Sequence, residues 1–158
     1  MNQYESHLAV SLLQARYAQA IDEDRLEEWP EFFTEDCLYV VTSHDNHKRG
    51  LEAGVVWCNS RGMLRDRVSG LREANIYERH RYRHIVSMPA EVQAQGEVIK
   101  ARTPFAVFRI TRSKANALYV TGCYEDEFKL GADGRLSIAK RVAVCDSNVF
   151  DTLLAIPL

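Results

Sequence analysis

The 158-residue sequence contains no Cys-x-x-Cys pair, and none of its 4 cysteines, Cys37, Cys58, Cys123 and Cys145, has a histidine within a few residues. The paired Cys/His motifs that hold a Rieske cluster are therefore missing. Wide spacing in apolar surroundings makes reduced, buried thiols the expectation for all four. There is no excess charge of either sign: 20 Lys+Arg stand against 22 Asp+Glu, a net of -2. That balance supplies no basic field for phosphate backbones or an anionic membrane surface, so neither nucleic acid nor membrane is an expected partner. No apolar run approaches the roughly 20 residues that cross a bilayer. The opening Met1-Asn2-Gln3-Tyr4-Glu5 has no positive region leading into an apolar stretch, and a cytoplasmic location is expected. Only 4 prolines occur, no linker, repeat or low-complexity tract interrupts the chain, and the length fits one domain over 1–158.

What is present falls into two halves. Leu8, Leu12, Leu13, Tyr17 and Ile21 recur at helical spacing and predict an amphipathic helix over Ser6–Ile21. Asp22-Glu23-Asp24 offers acidic cap and first-turn residues for a short second helix carrying Leu26, Trp29, Pro30, Phe32 and Phe33. Cys37–Thr42 reads as a strand, ended by a polar loop at Ser43–Lys48. Between Leu51 and Leu71, Val55, Val56, Met63, Leu64, Val68 and Leu71 suggest further helix, interrupted at Gly54, Gly62 and Gly70. Arg72–Tyr82 has no clear period. Four long strands follow, at Arg83–Ala94, Glu97–Arg112, Ala117–Leu130 and Arg135–Val149. Gly131-Ala132-Asp133-Gly134 forms a hairpin connection, and Ser113-Lys114-Ala115-Asn116 is a second candidate. Helices in front of antiparallel strands give an α+β domain in which a strongly curved sheet wraps against the helices.

Several residue groups could carry chemistry. A mononuclear iron needs two His and a carboxylate; His44, Asp45 and His47 lie together, and His80 and His84 are four apart. The first group reads better as a solvated or interface loop, the second as an approach to a strand whose histidines share a face without chelating. A curved sheet can also enclose a proton-transfer site. The candidates there are Asp36 or Asp45 with His44 or His84, and Tyr39 or Tyr124 as a polarising donor, which keeps open a stand-alone isomerase or dehydratase using a His/Asp pair. A non-catalytic binding module would need the same cavity without the charge pair. Arg61, Arg65, Asp66, Arg67, Arg72, Glu73, Glu78, Arg79, Arg81 and Arg83 form an arginine-rich interleaving suited to an interface. The tail Asp151–Leu158 is apolar after its first two residues and needs cover, from its own sheet or from another subunit.

As a set, Glu28–Tyr39, Met63–Arg67, Tyr82–Ser87, Cys145-Asp146-Ser147 and Asp151–Leu158 resemble the landmarks of the small (beta) subunits of aromatic-ring-hydroxylating dioxygenases, in the nuclear-transport-factor-2-like (cystatin-like) superfamily. Asp45-Asn46-His47, Gly50-Leu51 and Leu71–His84 look most like the terephthalate dioxygenase branch. The resemblance implies a cone-shaped α+β fold, N-terminal helices on a strongly curved, mostly antiparallel sheet, and a structural role in an oxidoreductase of aromatic catabolism. It implies a large (alpha) subunit as partner in an alpha3beta3 hexamer, with other copies of this chain and, indirectly, a reductase drawing on NAD(P)H. The Rieske [2Fe-2S] cluster and mononuclear Fe(II) are then expected in the large subunit. No catalytic, cofactor-binding or metal residue is expected in this chain, and the isolated chain is expected to be inactive.

Overall fold

The structure, a computed structural model, describes residues 2–51, 54–73, 80–112, 116–150 and 154–158. Helix α1 (Gln3–Asp22) begins at a capping box: Glu5 N–H donates to the Asn2 side chain at 2.9 Å, and Asn2 N–H donates back to Glu5 at 2.8 Å. Its inner face carries Val10, Leu13, Gln14, Tyr17 and Ile21. Leu13, Tyr17 and Ile21 of the expected stripe face inward, whereas Leu8 (61% exposed) and Leu12 (48%) point outward.

A 3-10 helix (Leu26–Phe32) follows, with Trp29 and Pro30 buried. The acidic cap expected at Asp22–Asp24 is not made: Arg25 holds the cap position without a side-chain bond. Asp24 takes a left-handed turn (φ 60°), and its carboxylate receives Arg72 at 2.9 Å. Strand β1 (Phe33–Ser43) runs into α2 (His44–Lys48), where the sequence suggested a loop. Ser43 caps that turn, accepting from Asn46 N–H, with Asp45 in the first turn and Lys48 in the last.

The predicted helix from Leu51 starts later. Val56–Cys58 is strand β2, and α3 spans Arg61–Glu73. Gly54 permits this, since a Cβ there would stand 2.1 Å from the Val41 oxygen, while Val55 N–H donates to that oxygen at 2.8 Å. Residues 74–79, with the resemblance and arginine-cluster positions on them, lie outside the described residues, as do 113–115 of the second expected turn and 151–153 of the tail.

The first long strand predicted is two: β3 (His80–Val86) and β4 (Glu91–Gln95). Both pair with β5 (Val98–Thr111), β3 at its far end and β4 at its near end. Ser87 N–H still reaches the Pro104 oxygen and Ala90 N–H the Arg102 oxygen. A strand residue turns its N–H and C=O to the same edge, so the donor that Pro104 lacks falls where β3 and β4 part. Strands β6 (Ala117–Leu130) and β7 (Leu136–Cys145) complete the order β2-β1-β7-β6-β5-β3, with β4 also on β5. The β6–β7 hairpin closes at Gly131–Gly134, where Gly131 N–H donates to Arg135 and Gly134 has φ 77°. All pairings are antiparallel except β1 with β7. The curled sheet packs its inner side chains, among them Phe105, Val107, Tyr124, Phe128 and Ile138, in one core with Val10, Leu13, Tyr17 and Ile21 of α1.

Candidate functional site

The inside of the cone is where a pocket would lie, and it is occupied by the protein itself. Gln14 from α1, Thr103 from β5, Asp126 from β6 and Arg141 from β7 are all buried and meet there. Arg141 grips Asp126 with two bonds, Nε–Oδ1 at 2.9 Å and Nη2–Oδ2 at 2.8 Å, and also donates to Gln14. Gln14 Nε2 donates to Asp126 at 2.8 Å and to Thr103 at 3.3 Å. The guanidinium lies between two rings, 4.2 Å from the Tyr17 centroid and 4.1 Å from that of Tyr124. Burial opposes its charge, but Asp126 and the two phenols outweigh that and hold it protonated.

Beside this pair sits the tail. Leu154, Ile156 and Leu158 are buried in the core of this same chain. Tyr17 OH donates to the Leu158 oxygen at 2.6 Å and itself accepts from Trp29 Nε1 at 2.9 Å. Leu158 N–H donates to the Tyr39 hydroxyl at 3.0 Å. The tail's question of cover is thus answered within the chain. Desolvation pushes the Tyr39 and Tyr124 phenols well above their ordinary ionisation range, so both stay protonated.

The residues singled out in the sequence are scattered. His44 is exposed, and Asp45 accepts from Asn148. His47 meets Glu125 at 3.0 Å on the outer face of the sheet. Asp36 is exposed beside Lys129. His84 does find a carboxylate, but it belongs to Asp22: Nδ1 lies 2.6 Å from Oδ1, and His84 N–H donates to Oδ2 at 2.8 Å. Neither proposed partner, Asp36 or Asp45, comes to it. Asp22 ends α1 and faces the inward side of β3, a meeting that no local sequence spacing announces. His80 shares that side of the strand, but four residues of strand separate it from His84 by about 13 Å, too far to share one ion. Tyr39 is committed to Leu158, and Tyr124 is buried with its ring stacked on Phe105 at 4.2 Å; neither lines an open groove.

Of the arginine-rich segment, four members on α3 make hydrogen bonds or ion pairs within this chain. Arg61 bonds the Phe33 oxygen and Glu35, Arg65 bonds Glu31, Arg67 bonds the Leu154 oxygen, and Arg72 clamps Asp24 and Glu27. Cys37, Cys58 and Cys145 are buried as expected, whereas Cys123 is half-buried on the outward side of β6.

Two open grooves lie among the described residues. One, of about 460 Å³, crosses the outer sheet between His47, Lys100, Arg102, Glu125 and Lys140. The other, of about 560 Å³, lies between the end of α1, α3 and β3, beside Asp22, Arg72 and Tyr82. Neither reaches His84. Among the described residues no three His, Cys, Asp or Glu side chains converge as a metal site, and the dispersed thiols do not fit a Rieske cluster. No described helix is long and apolar enough to cross a membrane.

A family model described as "Ring hydroxylating beta subunit" matches residues 16–152. The chain is 49% identical over 153 residues to the terephthalate 1,2-dioxygenase terminal oxygenase component subunit beta 2 of Comamonas sp, covering 97% of this chain and 99% of that one. It is 42% identical over 149 residues to the anthranilate 1,2-dioxygenase small subunit of Burkholderia cepacia, covering 94% and 92%. Among solved structures, a beta subunit from Novosphingobium aromaticivorans, described as that of an aromatic-ring-hydroxylating dioxygenase, superposes with TM-score 0.89 at 33% identity, covering 98% of both chains.

Proposed function

This chain belongs to the ring hydroxylating beta subunit family, and from that premise we propose that it is the small subunit of a terminal oxygenase that dihydroxylates terephthalate in the cytoplasm. Small subunits of this kind are components of a multicomponent oxidoreductase and work with a large subunit. In the proposed assembly three copies of each form an alpha3beta3 hexamer. The large subunit supplies the Rieske cluster and mononuclear iron, and a reductase passes electrons from NAD(P)H. Residues 1–158 act as one domain, with no side chain at the reacting atoms.

The observation that carries this reading is the filled cone. The space in which a proton-transfer site would act holds the Arg141–Asp126 pair and the tail. A His/Asp pair exists at His84 and Asp22, but both side chains are almost wholly buried (0% and 3% exposed) and neither groove opens onto His84. Asp22 borders the groove at the end of α1, but among the described residues neither groove brings a substrate to His84, and the isomerase or dehydratase reading is not favoured.

The test is co-production with a large subunit of a terephthalate dioxygenase, followed by purification, iron analysis and oxygen uptake. The expected result is an iron-containing complex that consumes oxygen with terephthalate, while this chain alone carries no stoichiometric iron. Stoichiometric iron on the isolated chain, or full activity of the large subunit without it, overturns the proposal. Equal turnover of anthranilate and terephthalate would remove the substrate assignment alone.

A further inference from the structure

We infer that the groove between the end of α1, α3 and β3 is a binding site for a small aromatic carboxylate. Its lining carries three arginines, Arg72, Arg81 and Arg112, against two aspartates, Asp22 and Asp24. Both aspartates are already engaged within the chain. Asp22 holds His84, with Nδ1 at 2.6 Å and the backbone N–H at 2.8 Å, and Asp24 receives Arg72 at 2.9 and 3.0 Å. Arg81 and Arg112 are exposed, and among the described residues neither has an ion-pair partner. The β3–β5 register brings the two to one end of the sheet: Arg81 stands opposite Ile110, His80 opposite Thr111, and Arg112 follows Thr111 directly. The charge left uncompensated at the groove is therefore positive, and the forked donors of arginine suit a carboxylate.

The rest of the groove selects the body of that anion. Ile21, Leu71, Ile110 and Ile156 line it together with the buried ring of Tyr82. That ring belongs to an aromatic row, stacked on Tyr119 at 5.4 Å and tilted against His80 at 5.1 Å. A flat apolar ring thus meets aromatic and aliphatic side chains together. Thr111 adds an independent sign. Its hydroxyl is buried, its residue borders the groove, and it has no hydrogen-bond partner among the described residues. An unpaired buried hydroxyl is costly, and a carboxylate oxygen accepts from it. At about 560 Å³ the groove has room for a single substituted ring. The ligand class follows from the groove alone and does not rest on terephthalate being the substrate of the oxygenase.

The test is titration of the full chain, purified alone, with benzoate at low ionic strength, read by calorimetry and by backbone amide chemical shifts. Saturable binding is expected, with the largest shifts at Leu71, Arg81 and Thr111 rather than at Lys100 and Glu125 of the outer groove. Benzamide removes the charge, benzylammonium inverts it and acetate removes the ring; each should bind at least about tenfold more weakly. Arg81→Gln combined with Arg112→Gln should weaken benzoate binding about tenfold or more. Arg135→Gln, at an exposed arginine between β6 and β7, should leave it unchanged. Four results overturn the inference: no saturable binding, shifts centred on the outer groove, any of the three analogues binding as well as benzoate, or binding unchanged by the two glutamines. The shift map and the analogues are read on the unaltered chain, so they decide the matter if the double variant does not fold. None of these readouts involves oxygen uptake, and the oxygenase reading stands or falls separately.

Discussion

Arg141 illustrates what a single residue commits this interior to. Its charge is fully buried, held by a bidentate carboxylate and two aromatic faces. Removing one partner of such a pair strands the other in a low-dielectric core, so Arg141→Leu is expected to cost about 3–5 kcal/mol. Arg141→Leu combined with Asp126→Leu should recover a large part of that loss. Urea unfolding of the two variants checks the order; an equally destabilised double variant would show that packing, not the stranded charge, dominates. The thiols make a second prediction at this scale. Burial pushes Cys145 from an ordinary 9.0 up to about 12 and Cys37 up to about 11. Between pH 9 and pH 11–12 the unfolded chain releases protons that the folded chain keeps, so stability from these groups is complete below pH 9 and falls as pH rises through that window. The unfolding midpoint is expected to drop from pH 9 to pH 11, and Cys145→Ala should shallow the decline. A flat profile over that range would contradict the burial of these thiols.

Among elements, the tail and α3 contrast burial with exposure. Leu154, Ile156 and Leu158 are each under 8% exposed and enter the main core. Leu154→Ala is therefore expected to cost about 2–5 kcal/mol, the range for a leucine cut back in a packed interior. Arg72 makes more polar bonds than any residue of α3, to Asp24 and Glu27. Its acidic partners are mostly solvent-exposed, and Arg72→Ala should cost less than about 1 kcal/mol. Thermal melts of both variants test this ranking, and a larger loss from Arg72→Ala would reverse it. Elements also differed in how far they could be read. The alternation of Ile99, Ala101, Thr103, Phe105 and Val107 along β5, and the Gly131–Gly134 turn, are local patterns, and both appear where periodicity and turn chemistry place them. Strand β2 was hidden because three residues, Val56–Cys58, carry too short a period to separate from a helix, and only pairing with β1 makes them a strand. The break between β3 and β4 could have been suspected at Pro89 and became definite only against Pro104 on the neighbouring strand.

At the scale of the whole molecule, the surface matters as much as the core. Trp57 (45% exposed) and Val55 stand at the β2 edge, Leu51 is exposed after α2, and Tyr4, Leu8 and Leu12 form an outward stripe on α1. A subunit that works with a larger one has such apolar surface to cover. The absence of Cys/His pairing, the even charge and the helix-then-strand order were properties of the sequence alone. So were the landmarks that placed the chain in its family, because composition and local periodicity do not depend on what lies across the fold. The fate of the individual candidates was decided only by tertiary structure. His84 met Asp22 across 62 positions, Arg141 met Gln14 across 127, and Tyr17 met Leu158 across 141. Such partners are chosen by the curl of the sheet around α1, and no local spacing encodes that curl. The missing Rieske Cys/His pairs could be read residue by residue, whereas the filling of the cone by the chain's own tail required the curled sheet.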